Sequence, residues 1–189
     1  MDNQTLILIL IGVVVVLAAA IAAWIAIRAR RSQRLREKYG PEYDYTVNKA
    51  GDRRTAEEAL VEREKRVQKI KIQELDMQKA ELYKAEWDGI QTDFVDRPYG
   101  SVEEADRLIT EVMITRGFPV EDFERRAADI SVLYPDVVIN YRNAHAIAEK
   151  GQHNGVTTEN LRQAMVYYHS LFEALLETEE RKEMEVAVP

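Results

Sequence analysis

Residues 6–27 read LILILIGVVVVLAAAIAAWIAI, 22 positions without one charged side chain. As a helix rising about 1.5 Å per residue the run reaches roughly 33 Å, enough for a hydrocarbon core of about 30 Å. A helix also satisfies every backbone N–H and C=O from within, which lipid requires. Trp24 lies within one turn of the end of the run, where an indole N–H meets headgroups. The run is too long for the apolar core of a secretory signal peptide. Met1, Asp2, Asn3, Gln4 and Thr5 precede it without a basic side chain, and the small-residue triplets between Ala18 and Ala23 lie inside it. The chain has no Cys to acylate, so a lipoprotein anchor is excluded. The stretch predicts an uncleaved transmembrane helix at 6–27.

A basic collar follows at once: Arg28, Arg30, Arg31, Arg34 and Arg36, then Lys38, with Glu37 the one acid in residues 28–38. Basic side chains resist translocation. The asymmetry predicts a short extracytoplasmic N-terminus at 1–5 and a cytoplasmic C-terminal part, in the inner membrane of the cell. The collar faces the lipid bilayer, each arginine adding at most about 1 kcal/mol against anionic headgroups. Ala18, Ala22 and Ala26 recur at every fourth position, a spacing that lets two spans approach closely and form a homo-oligomer.

Beyond the collar the charge reverses. Residues 39–189 hold 20 basic and 31 acidic side chains, a net −11 within a chain of −7. Such a domain is repelled by nucleic acid and by an anionic leaflet. Its 151 residues suffice for one domain with a real core. Residues 28–75 read as the collar plus a charged juxtamembrane arm. Gly40-Pro41 breaks the anchor helix, and Pro41 starts a short helix ending near Gly51. In the next segment Leu60 and Val67 stand seven apart, but Arg63, Glu64 and Lys71 fill the other seam positions. That pattern argues against a coiled coil and for a solvated helix. Ile70 and Ile72 flank Lys71 in a short extended linker.

The compact domain is expected at 76–177, as a bundle of about five helices. Asp76 caps a helix to about Val95, with Tyr83, Trp87, Ile90 and Phe94 on one face. Ser101 and Glu104 form a capping box for the next, which Gly117 stops. Pro119 starts a third, carrying Phe123, Ala127 and Ile130 inward. Pro135 starts a fourth, with Val138, Tyr141, His145 and Ala148 on its stripe. Thr157 caps the last, whose ridge is Leu161, Met165, Tyr168, Phe172 and Leu175. The acidic stretch 178–189 loses periodicity and is expected to be a flexible tail. The fold class is all-α: one span, a charged helical arm and a helical bundle.

Chemistry finds little purchase. His145, His153 and His169 have no zinc-ligand spacing, and the eight scattered glycines form no phosphate loop. Ser101 and Ser131 sit in no nucleophile turn. The acidic runs lack the spacing of a calcium loop. No catalytic residue, cofactor or metal is assigned. One candidate pocket stands out, around Tyr141, His145 and Tyr168. Tyr39, Tyr43 and Tyr45 suit the headgroup level or packing on a local helix.

EWDGIQTDFVDRP (86–98), EADRLITEVMITRGFP (104–119), FERRAADISVLYPDVVINYR (123–142) and NLRQAMVYYHSLFEALL (160–176), with the anchor and REKYGPEYD (36–44), resemble an uncharacterised family of small bacterial single-span membrane proteins. The resemblance implies a helical soluble domain and brings no reaction, cofactor or site residue. Tyr134 and Tyr167 depart from it, standing where similar proteins tend to carry histidine.

Three functions are expected from these residues: a membrane-anchored module that binds a protein partner, a small-ligand receptor or enzyme using the Tyr141, His145 and Tyr168 pocket, and an envelope component oligomerising through its anchor. The last predicts that Ala22→Ile weakens self-association in a two-hybrid assay of the span in membranes; unchanged association removes it.

Overall fold

Gly40 and Pro41 end the long first helix. Gly40 takes a φ of 48°, and Pro41 occupies the first turn of the helix that follows, where a missing N–H costs nothing. In this computed structural model the described residues are 3–151 and 155–177. Those residues form eight α-helices and no strand: α1 (Asn3–Tyr39), α2 (Pro41–Ala50), α3 (Arg53–Val67), α4 (Met77–Asp93), α5 (Pro98–Thr115), α6 (Phe123–Leu133), α7 (Pro135–Gly151) and α8 (Thr158–Leu176). The chain divides into two compact units, Met1–Lys38 and Tyr39–Pro189. His153 and the tail at 178–189 lie outside the described residues.

The first unit is one helix. Gly12–Tyr39 is long and apolar enough to cross a membrane, with a mean hydropathy of 2.3 in its most apolar window and none of that window buried. Val13 to Val16, Ile21, Trp24 and Ile27 are all more than half exposed. The Arg28 guanidinium lies 5.5 Å from the Trp24 ring centroid, a cation–π contact at the end of the apolar run.

In the second unit, α4 to α8 enclose the main core. Its largest members are Trp87, Tyr141, Tyr168 and Phe172, packed with Leu108, Ile109, Met113, Ile130 and Leu171. Trp87 stacks on Phe172 at 4.8 Å and tilts against His169 at 5.1 Å. The five-helix expectation for 76–177 holds, and the apolar stripes of α4, α7 and α8 point inward as their spacing requires. Asp76 accepts from the Lys79 N–H and Thr157 from that of Asn160, capping α4 and α8.

Two helix starts differ from expectation. Ser101 and Glu104 form no capping box: α5 begins three residues earlier at Pro98, whose fixed φ suits a first turn. Ser101 is thereby carried into the helix, its N–H donating to the Arg97 carbonyl at 2.9 Å. Pro119 likewise starts no helix. Asp122 accepts from the Arg125 N–H at 3.0 Å, so α6 opens at Phe123.

The larger correction concerns the arm. Residues 39–75 belong to the same compact unit as the bundle, with α2 against α7 and α3 against α6. Tyr39, Tyr43, Ala56, Leu60 and Val67 are buried, and Glu42 and Glu57 are buried with them. Charge made this segment read as solvated, yet charge is what docks it.

The linker after α3 closes against the end of α5. The Gln73 N–H donates to the Arg116 carbonyl at 2.9 Å, and Arg116 Nε returns a bond to the Gln73 carbonyl at 3.2 Å. Gly117 holds φ at 83°, and a Cβ there would stand 2.8 Å from the Lys71 carbonyl oxygen. Gly117→Ala therefore meets both backbone strain and a backbone clash. It is expected to destabilise the domain by about 1–3 kcal/mol in urea unfolding; an unchanged midpoint would show that the linker yields freely.

Candidate functional site

Glu42 stands in the first turn of α2, where a carboxylate favours the helix dipole. It also falls on the buried face of its segment, beside Tyr39 and Tyr43, and its side chain is 0% exposed. A carboxylate stripped of water needs opposite charge and donors. Arg142 of α7 supplies both through a two-pronged contact: Nε donates to Glu42 Oε2 and Nη2 to Oε1, each at 3.1 Å. Arg63 of α3 adds Nη1 to Oε1 at 2.8 Å. Three helices thus converge on one buried carboxylate.

Arg142 reaches further. Nη1 donates to Glu124 Oε2 at 3.0 Å, and the guanidinium lies 4.2 Å from the Tyr45 ring centroid. Lys49 of α2 donates to the same Glu124 oxygen at 2.6 Å. On α3, Arg66 Nε donates to Asp129 Oδ1 of α6 at 2.8 Å, and the Asp129 side chain is 0% exposed. Arg63 also donates to Ser131 Oγ at 3.4 Å. Tyr43 donates to Glu57 within the α2–α3 pair, and Arg53 donates to both. Burial alone would raise the pKa of Glu124; the bond from Lys49 and the Arg142 charge outweigh it and hold the carboxyl below its usual range. Burial opposes the charge on Arg142, but Glu42 bonds it and raises its pKa.

Beside this cluster lies a cavity of about 440 Å³, lined by Tyr45, Phe123, Glu124, Arg142, His145 and Glu149 among others. His145 is the one residue of the expected pocket that faces it. Its ring stacks on Phe123 at 3.5 Å between centroids, and Glu149 lies 3.6 Å from its Nε2. Arg142 covers a face of Tyr45. The aromatic faces of the cavity are therefore engaged by the chain's own cations and rings.

Tyr141 and Tyr168 are sealed in the core at 0% exposure, so the three residues do not share one pocket. Their rings meet at 6.0 Å, and their hydroxyls lie near Asp106 of α5 and Arg126 of α6 without a bond of good geometry. Burial, with the nearby Asp106 charge, raises both phenol pKa values far above the ordinary. Among the described residues no group of three or more His, Asp or Glu is placed to hold a metal ion. His169 lies over Trp87 and lines a second cavity of about 310 Å³ with Phe94, Met165 and Val166.

Tyr134 accepts a bond from Arg116 and underlies its guanidinium. The buried Arg116 also donates to the Leu175 carbonyl at 3.0 Å, at the negative end of α8. Tyr167 packs against the core. Both positions are spent on packing and helix ends.

The sequence reading missed Glu42, Arg63, Glu124, Asp129 and Arg142. A signal was present for some of them. Val138, Tyr141, Arg142 and His145 follow at i, i+3, i+4 and i+7, so Arg142 sits inside an apolar stripe. Ala56, Leu60, Arg63 and Val67 place Arg63 in the same way. A charge on a buried stripe asks for a buried partner. Compared with known proteins, the chain matches no family model, no curated protein and no solved structure.

Glu124 has a folded pKa below its ordinary 4.5. Its contribution is then complete above pH 4.5 and lost as pH falls through the lower folded value. Glu124→Gln should lower the urea midpoint at neutral pH and flatten its acid limb below pH 4.5; parallel limbs in variant and parent would show that Glu124 is not part of the acid response.

Proposed function

We propose that this chain is a membrane-tethered protein-interaction module. One span holds it in the inner membrane of the cell, with its N-terminus outside and its helical domain in the cytoplasm. The observation that carries the reading is the bare apolar helix meeting a basic collar. None of its most apolar window is buried, and Arg28, Arg30, Arg31, Arg34 and Arg36 are exposed directly beyond it. Apolar surface of that extent is costly in water and favourable in lipid. The collar gives the direction, because basic flanks stay on the cytoplasmic side. The net −11 of residues 39–189 keeps the domain off an anionic leaflet.

Support for a protein partner comes from the bundle surface. Phe94, Met165 and Val166 line an open cavity, and Val95, next to Phe94, is 84% exposed. Such a recess suits an apolar anchor side chain. The resemblance to small single-span bacterial membrane proteins belongs to the same reading.

The test has two arms. A topology reporter fused after Pro189 should be active in the cytoplasm and silent outside; external activity overturns the orientation. Crosslinking in cells from a photoreactive residue at Val95 should capture one recurrent partner. Recovery of the chain alone would overturn the interaction role.

A further inference from the structure

The α2–α3 pair has its own small set of buried apolar residues, Tyr43, Ala56, Leu60 and Val67, with Tyr39 just before α2, and these lie outside the contiguous core of α4 to α8. A row of polar contacts, three of them between opposite charges, reaches from this pair to α6 and α7: Glu42 to Arg142, Arg63 to Ser131, Arg66 to Asp129, and Lys49 to Glu124. The two ends of the row differ. Glu42 and Asp129 are 0% exposed, whereas Lys49 and Glu124 stand at the rim, about half exposed.

We propose that α2–α3 is a charge latch on the bundle, able to undock as a unit while α4 to α8 stay folded. Apolar docking is non-directional and loses strength in proportion to the surface removed. Docking by buried ion pairs holds firmly when every partner is in place and fails steeply when one is removed, because the remaining charge is left dry. An open latch re-solvates Glu42, Arg63, Arg66, Asp129 and Arg142 together, which repays part of the lost attraction. The buried apolar residues of the pair are not members of the α4 to α8 core, so undocking takes no side chain of theirs out of that core. Opening uncovers the α6–α7 face that carries Asp129, Ser131 and Arg142. The hairpin follows the apolar helix directly in sequence, so the latch is the first structured element between the span and the bundle.

The chain has no Cys, so paired spin labels can be placed at will. One pair joins Glu58→Cys on α3 to Glu159→Cys on α8. A control pair joins Glu81→Cys on α4 to Glu159→Cys. All three sites are exposed. Distances are measured by pulsed electron resonance on the full chain in lipid nanodiscs. The unmodified latch should give one narrow distance for each pair. Glu42→Gln strips the central charge and should raise the open population roughly a hundredfold or more, seen as a second, different α3–α8 distance beside an unchanged α4–α8 distance. Lys49→Glu, at the exposed rim, sets two carboxylates together and should give the same second distance at lower population. The proposal is overturned if the two pairs broaden together in Glu42→Gln, because hairpin and bundle then open as one. It is equally overturned if the α3–α8 distance stays single in both variants.

Discussion

A single carboxylate with no access to water, that of Glu42, sets the terms for the rest of the domain. Its charge is tolerable only while Arg142 and Arg63 keep their donors on it. The contact with Arg142 joins residues 100 positions apart. A two-pronged guanidinium contact fixes orientation as well as distance, which a lysine at the same place would not do. The fold of the charged segment is thus over-determined by geometry. α2 cannot slide along α7 without leaving a dry carboxylate, and α3 cannot rotate without withdrawing Arg63. Arg142 in turn is held by Glu124 and by the Tyr45 ring, so the positive charge that stabilises Glu42 is itself kept in place.

The same chemistry divides what was legible in the sequence from what was not. Helices α4, α7 and α8 announce themselves through apolar residues three and four apart, and Trp87, Tyr141 and Phe172 are buried where that spacing puts them. Caps at Asp76 and Thr157 are equally plain. The α2–α3 segment failed because hydrophobic periodicity counts every charge as a vote for water. Arg63 and Arg142 occupy stripe positions; Arg63 counted against a buried seam, and Arg142 drew no notice. What no single-chain pattern contains is the pairing: nothing near residue 42 names residue 142. Ser101 shows a smaller failure of the same kind, a real capping motif overruled by Pro98 one turn upstream.

Of the three residues expected to share a pocket, one lines a cavity and two lie in the core. Tyr141 and Tyr168 share the stripes of α7 and α8, and a stripe residue goes to the interior unless something holds it out. His145, one turn beyond Tyr141, is the member that reaches a cavity, because Phe123 at the start of α6 offers it a stacking face. The position of that face depends on α6 opening at Asp122 and not at Pro119.

The buried polar groups of the bundle deepen the contrast between its two halves. Asp106, Arg126, Tyr141 and Tyr168 come one from each of α5 to α8 and lie near one another; Arg126 Nη2 stands 3.9 Å from Asp106 Oδ2, and each side chain keeps a buried atom without a bond of good geometry. In the cluster around Glu42 both of its carboxylate oxygens are occupied by guanidinium donors, while the buried Asp129 Oδ2 on the same interface has no partner. Satisfied polar networks specify one arrangement, whereas unsatisfied ones weaken the element that carries them. The apolar core packs around that polar centre and holds α5 to α8 together. Between α2–α3 and α6–α7 the roles are exchanged, and the specificity of docking resides in charge. A domain built in this way has one interface that tolerates conservative apolar change and another that tolerates almost no change of charge.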